Sequence, residues 1–495
     1  MSWKPRPMIF NRKRKLQKAM RQANSYQSWC DLAQELDRLE GNDAWREEPT
    51  SPHYDHELIA EHLQLMRRYR VDGNLPALRR LIEESLHRNL GDLSNPLLYE
   101  YSHYGTKLLI ESYLDEVEFT LDWLCDTPLP GFTDKLKLAT VREALRVFGR
   151  SALILSGGGA LGLFHLGVVK TLWELDLLPN IISGASMGAI VAGGACVRND
   201  DEIHEIWSDL HNIHRRAVRI QSLKGVLKDG CLFAPEQLYE HIEANLADMT
   251  FQEAYKHSGR VLNIAVSPTR HRQKPRLLNH LTSPQVLINH AAVASCSLPA
   301  LFPPAGLLRR GPDGEVQPYI QGEMWIDGSL HGDVPIMRLS RLHNVNHYIV
   351  SQANIHVVPF AGIKGREGIL STVAELAASG AHAQSQQLLG LARRRLRGGL
   401  WNPTMEWMHA LLNQNYAGDI NIHPRMKTRD LLRVMKNPSL KELQAYVTGG
   451  ERATWPKVAM IRNQTRMSRV MERCIKRLET RLKNAPTTPD EEATS

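Results

Sequence analysis

Apolar residues recur at intervals of three and four along 26–39, 56–69, 75–88 and 107–124, with polar residues between them. That period predicts amphipathic helices. Breaks are readable at Gly41-Asn42-Asp43, at Pro49 and Pro52, and at Asp72-Gly73-Asn74, residue types that cap or stop helices. Residues 1–149 are expected to form an N-terminal helical domain. The texture changes at residue 150. Short apolar runs at 152–155, 180–182, 261–266 and 348–350 alternate with helical stretches and glycine-rich turns, the signature of an α/β domain around a mostly parallel sheet. That domain is expected over 150–359. Asp313-Gly314, in a Gly/Pro-rich stretch, predicts a hairpin insertion. From 360 to 485 the pattern turns helical and basic, and 486–495 reads as a disordered polar tail. No internal repeat is visible.

Composition narrows the class. The 495 residues are 42% hydrophobic and 23% charged, ordinary for a soluble globular chain with enough apolar material for a core. Cysteines 30, 125, 196, 231, 296 and 474 form no C-x-x-C pair, which argues against a structural zinc and a secreted disulfide framework. A reducing, cytoplasmic setting is expected. Eight Lys/Arg lie between Lys4 and Arg21 with no acid before Asp31, but the apolar run of a signal peptide is missing; a transit peptide stays open. The uncharged stretches 151–169 and 181–197 are broken by Gly, Ser or His, so neither is expected to span a membrane. A net charge of +8 suits nucleic acid or an anionic membrane surface. No zinc-finger spacing or aromatic RNP pattern supports nucleic acid.

Three short stretches carry candidate chemistry. Gly157-Gly158-Gly159-Ala160-Leu161-Gly162 follows the strand 152–155 and opens a helix. A dinucleotide-binding turn would want an acid at the end of the next strand, and 180–182 instead runs into Ser183-Gly184. What remains is glycine backbone at a helix N-terminus, which aims N–H groups at an anion. Next comes Gly184-Ala185-Ser186-Met187-Gly188, a G-x-S-x-G between a strand and an apolar helix, the context of a nucleophile elbow. Third is Asp327-Gly328-Ser329 after Trp325-Ile326. An Asp-Gly pair alone is most often a plain turn, but a nucleophilic serine needs a proton acceptor. None of the 21 histidines stands in a motif that singles it out, although His331 follows the aspartate closely.

The glycine triplet, the elbow and the Asp-Gly, in this order, resemble the patatin-like phospholipase family. Ala294-Ser295-Cys296-Ser297-Leu298-Pro299 running into Phe302-Pro303-Pro304, and 279–288 before it, strengthen the match. The resemblance covers 151–359. Glu35-Leu36-Asp37-Arg38-Leu39-Glu40-Gly41-Asn42-Asp43, Leu86-His87-Arg88-Asn89-Leu90-Gly91 and Tyr104-Gly105-Thr106-Lys107 resemble the helical domain ahead of the patatin domain in fungal and plant triacylglycerol lipases and bacterial relatives. The resemblance implies a three-layer α/β patatin-like domain flanked by helical regions. It also implies a lipid acyl hydrolase with a Ser186–Asp327 dyad and no histidine, in which Gly157, Gly158 and Gly159 form the oxyanion hole. Gly162, Gly184, Gly188 and Gly328 are the motif glycines. No metal or cofactor is implied. The partner is a lipid substrate at a membrane or lipid-droplet surface, with no nucleic acid and no oligomeric state assigned.

Two departures stand out. Many relatives carry a basic residue where this chain has Leu161, which leans toward neutral lipid; Ser329 replaces the usual Ala or Gly. Rival readings are a phospholipase A or lysophospholipase, an acyltransferase, and a non-catalytic lipid-interface protein. Between Lys457 and Lys483 stand nine Lys/Arg against two acids, along an apolar stripe of Met460, Met467, Met471, Cys474, Ile475, Leu478 and Leu482. Such a stripe either packs on the protein or binds an anionic surface.

Overall fold

The structure is a computed structural model, and it describes residues 6–86, 88–270, 273–329, 334–354, 417–425 and 434–484. His331, the expected tail 486–495 and residues 355–416 lie outside the described residues. Contacts divide the chain into two units: one gathers the helices between residues 6 and 148 with the C-terminal helix Val458–Asn484, the other the bulk of the sheet with its helices up to Leu440–Thr454.

In the helical unit, sequence signals become caps. Ser25, Asp55, Asn74 and Thr133 each accept a backbone N–H at the start of a helix, satisfying donors that the helix leaves orphaned. Gly41 ends Tyr26–Glu40 at φ +81°, a conformation that strains any residue with a Cβ. Ile59, Met66, Leu78, Leu98, Ile110 and Tyr113 form a core together with Met471, Cys474 and Leu478 of the C-terminal helix.

Buried polar groups tie this unit together. Lys107 is fully buried; its Nζ donates to the carbonyls of Trp45 (2.6 Å), Glu48 (2.7 Å) and Thr50 (3.2 Å) and lies 4.2 Å from the centre of the Trp45 ring. Asp37 accepts from Ser102 Oγ at 2.8 Å and from the backbone of His103 and Tyr104 at 2.9 and 3.0 Å. Arg88 donates to the carbonyls of Phe148 (3.3 Å), Gly149 (3.2 Å) and Gln464 (3.3 Å). The N-terminal motifs quoted above therefore contain internal clamps. Removing a buried donor strands its acceptors at about 1–3 kcal/mol each. Lys107→Met is expected to destabilise the helical unit by about 3 kcal/mol or more, read as a lower urea midpoint.

The C-terminal helix answers the question its stripe posed. Met467, Met471, Cys474 and Leu478 lie in the core. The flanking arginines face a row of acids on the helix Leu108–Asp126 and just beyond it. Arg466 pairs with Asp115 at 2.6 Å and with Glu118, Arg473 with Glu118 at 2.7 Å, Arg477 with Asp126 at 2.9 Å and with Asp122, and Arg481 with Asp134 at 3.3 Å. Of the two readings left open for this stripe, packing holds and the lipid-interface one does not: its apolar face is packed inside the protein and the arginines named pair with acids.

In the second unit, β1 (Arg150–Leu155), β2 (Ile181–Gly184), β3 (Val261–Pro268), β4 (Arg276–Leu278), β7 (Trp325–Asp327), β8 (Val345–Ser351) and β9 (Ile420–Ile422) form one sheet in the order β4-β3-β2-β1-β8-β9, with β7 also on β3. β1 with β2, β2 with β3, and β8 with β9 are parallel; β4 and β7 run antiparallel to β3. Residues 152–155 and all of β2 are buried, as expected of strands covered on both faces. The hairpin expected at Asp313-Gly314 is β5 (Leu308–Arg310) with β6 (Val316–Pro318). The helices Phe164–Glu174 and Leu440–Thr454 approach backbone to backbone: a Cβ on Gly167 would overlap the Val447 carbonyl, and one on Gly450 that of Phe164. Lys170 and Glu451 pair across them at 2.6 Å.

Candidate active site

The first candidate residue sits where β2 turns into the helix Met187–Cys196. Ser186 holds φ +53° and ψ −127°, a region that costs a non-glycine residue about 1–3 kcal/mol and concentrates at functional sites. The turn closes because its neighbours are small. A Cβ on Gly184 would overlap the Gly188 carbonyl, and one on Gly188 the Leu155 carbonyl. The Ser186 N–H donates to Ser295 Oγ at 3.0 Å, and Ser295 Oγ donates to the Ala265 carbonyl at 2.8 Å. The stretch 294–299 thus pins the turn to β3.

The second candidate ends β7. Asp327 donates its N–H to the Ser297 carbonyl at 3.1 Å, and its Oδ1 accepts the Ser329 N–H at 2.8 Å. A Cβ on Gly328 would overlap the Ala265 carbonyl, so glycine there lets β7 lie close on β3. Asp327 is 1% exposed. Burial pushes its carboxyl up to about 6, while hydrogen bonds from Ser329 and from the Ser186 side chain pull it back in part. The two residues are far apart in sequence and adjacent in space.

The glycine loop completes the cluster. A Cβ on Gly157 would stand 3.4 Å from Ser186 Cβ and 3.6 Å from Ser329 Cβ, so the loop backbone lies against the first candidate and against the residue two past the second. Gly159, at φ +55°, would press a Cβ onto Val434 at 2.7 Å, and Gly162 one onto Met187 at 2.6 Å. A buried network behind the loop escaped sequence reasoning. Ser156 Oγ donates to the Gly157 carbonyl and accepts the Ala353 N–H, both at 2.8 Å. His165 contacts the Ser156 carbonyl through Nε2 at 2.9 Å and Ser351 Oγ through Nδ1 at 2.7 Å. A carbonyl only accepts, so Nε2 carries the proton and Nδ1 accepts from Ser351. Burial lowers the His165 pKa to about 4, keeping the ring neutral at physiological pH. Its sequence signal was its place three residues past Gly162, at the start of the helix Phe164–Glu174.

A cavity of about 220 Å³ opens on the cluster, lined on one side by Gly157, Gly158, Gly159, Ser186, Asp327 and Ser329, and elsewhere by Leu163, Ile190, Leu238, Leu298, Leu301 and Phe302. Arg215 and Lys436 add positive charge to its wall. A second, largely apolar cavity of about 150 Å³ shares Leu163, Met187, Ile190 and His241 with it. Leu161 is buried with Ala353 and Val434. An arginine there would be a buried charge. Among the described residues, Asp37, Glu40 and His103 place potential metal ligands together. That cluster belongs to the clamp of the helical unit, where Glu40 also pairs with Lys13 at 2.6 Å.

Residues 153–340 match the patatin-like phospholipase family, and residues 6–147 match a domain of unknown function. The chain is 37% identical over 474 residues to triacylglycerol lipase ptl3 of Schizosaccharomyces pombe, covering 91% of this chain and 95% of that protein. The chain belongs to the patatin-like family. It is also 36% identical to triacylglycerol lipase 4 of Saccharomyces cerevisiae, over 93% of this chain and 53% of that one. To triacylglycerol lipase SDP1L of Arabidopsis thaliana it is 33% identical, over 92% and 58%. It thus spans little more than half the length of these last two relatives and nearly all of ptl3.

Proposed function

We propose that this patatin-like protein hydrolyses carboxylic ester bonds of acylglycerols, with Ser186 as nucleophile and Asp327 as its base. The observation that carries this reading is a serine held in strained backbone beside a buried aspartate at the wall of an apolar cavity. Asp327 takes the hydroxyl proton as Ser186 Oγ adds to the ester carbonyl. The backbone of Gly157, Gly158 and Gly159 faces the oxyanion that forms. Collapse breaks the ester C–O bond, the alcohol leaves with the proton from Asp327, and water releases the fatty acid by the same steps. An insoluble substrate is met at a lipid surface. Among the described residues no helix is long and apolar enough to cross a membrane.

A base with a carboxyl raised to about 6 must be ionised to act. Activity on an uncharged, soluble ester is therefore expected to rise with pH along an acidic limb centred near 6 and to level above it. A limb near the ordinary carboxylate value would mean that burial does not raise the Asp327 carboxyl, and the absence of any acidic limb would remove Asp327 as the base.

A second reading, phospholipase A or lysophospholipase, is favoured by Arg215. Its Nη1 is buried and meets no acceptor among the described residues, and the residue lines the cavity; a phosphate would satisfy it. Mass-spectrometric product analysis on mixed triacylglycerol and phospholipid vesicles decides. Diacylglycerol and fatty acid as main products support the first reading, lysophospholipid, or glycerophosphodiester formed when lysophospholipid is included in the vesicles, supports the second, and none of these, with Ser186→Ala as control, rejects both.

A further inference from the structure

The segment between residues 215 and 234 projects beside the cavity. Its base is held firmly. Gln221 donates its N–H to the Leu232 carbonyl at 3.0 Å and Ala234 to that of Arg219 at 2.9 Å, so the two ends pair as antiparallel backbone. Leu232 and Phe233 donate to the carbonyls of Ala300 and Leu301 at 3.0 and 2.9 Å, and the Phe233 ring lies 5.5 Å from that of Phe302. Asn437 grips Val218 through both its N–H, at 2.9 Å, and its carbonyl, at 2.7 Å. Ala217, Val218, Leu301 and Phe302 all line the cavity.

At the tip is the short helix Leu223–Asp229, capped by Ser222 and closed by Gly230 at φ +65°. Ile220, Leu223 and Leu227 are 71%, 78% and 80% exposed. Leu223 and Leu227, four apart in the helix, share one of its faces, and Ile220 stands on the strand-like base just before it. One exposed leucine means nothing, but three together on a braced loop mark a binding surface. Arg216, Arg219 and Lys224 around them are exposed, and residues 215–230 hold five basic residues against one acid.

We infer that this loop is the surface by which the protein docks on lipid bearing anionic head groups, with Ile220, Leu223 and Leu227 entering the interface. Its basic residues complement anionic head groups, and aliphatic side chains ringed by cations gain from burial at the head-group boundary. A braced loop pays little ordering entropy on docking. The adjoining cavity then receives the acyl chain directly from the surface. The inference rests on the proposed lipid hydrolysis for its biological sense, but its test does not.

The full chain carrying Ile220→Ser, Leu223→Ser and Leu227→Ser is compared with wild type by co-sedimentation with phosphatidylcholine vesicles containing about 30% phosphatidylserine. Each methylene withdrawn from the interface weakens partitioning about fourfold, so withdrawing only three or four of those the triple variant loses lowers binding by about a hundredfold, and a loss of at least that size is expected. Arg216→Gln with Lys224→Gln is expected to weaken binding about fivefold per charge at low salt, and not at all at about 1 M salt, where surface charges are screened. Both variants should keep wild-type turnover of a soluble short-chain ester and its melting temperature. The inference is overturned if wild type does not bind these vesicles or the triple variant binds as wild type does. It is also overturned if melting temperature and soluble turnover fall together with binding, which would make the face a packed one. If wild type turns over no ester while the triple variant still loses vesicle binding, the proposed hydrolysis fails and the docking surface stands.

Discussion

Ser186→Ala is expected to lower turnover of both soluble and vesicle-borne esters by about 10⁴–10⁶ while the protein stays folded. The substitution removes the attacking oxygen and leaves the backbone turn, the glycine loop and the cavity in place. The strained φ of +53° adds a second readout. Ser186→Gly is expected to be equally inactive but about 1 kcal/mol more stable than Ser186→Ala, because glycine adopts positive φ without a Cβ clash. Turnover within tenfold of wild type in either variant would show that another residue attacks the ester.

Asp327→Asn is expected to cost about 10⁴ or more in turnover, and combining it with Ser186→Ala should lower the rate no further, since the pair acts as a unit. Retention of a tenth of wild-type turnover would dismiss the dyad. Stability should move the other way. The folded protein holds the Asp327 proton up to about 6, while the unfolded chain releases it near 3.8. Wild-type stability is therefore lost as pH rises from about 4 to about 6 and is level above that. The shift from 3.8 to about 6 corresponds to about 3 kcal/mol. The asparagine keeps an oxygen for the Ser329 N–H and carries no charge. Its advantage over wild type should be absent near pH 4 and close to about 3 kcal/mol at pH 8 or so, measured by denaturant unfolding. Equal stability difference at both pH values would mean that Asp327 is not desolvated as described.

The pattern of the chain disclosed much of this. The strands at 152–155, 261–266 and 348–350 and the hairpin at Asp313-Gly314 stand where expected, because fully apolar short runs and turn residues act locally. Ser186 was legible for the same reason: a turn that tight requires glycine two positions to either side, at Gly184 and Gly188. His165 was not, since its role depends on Ser156 and Ser351, and no spacing along the chain encodes that meeting. Nor was Ser295, whose hydroxyl bridges the elbow and β3.

The sequence by itself determined the local geometry: which segments are helices or strands, where they are capped, and which turn is too tight for a side chain larger than hydrogen at its neighbours. Only the tertiary structure decided what covers each face. The stripe from Met467 to Leu478 reads the same whether a protein core or a membrane receives it; it is the acids at 115, 118, 122 and 126 that claim the arginines. Ile220, Leu223 and Leu227 look like an ordinary buried set until the fold leaves them outside. Asp327 acquires its raised pKa from burial beside Ser186, a desolvation that arises only when distant segments close around it. Periodicity selects an apolar face, whereas the partner of that face and the dielectric around a charge are properties of the assembled chain.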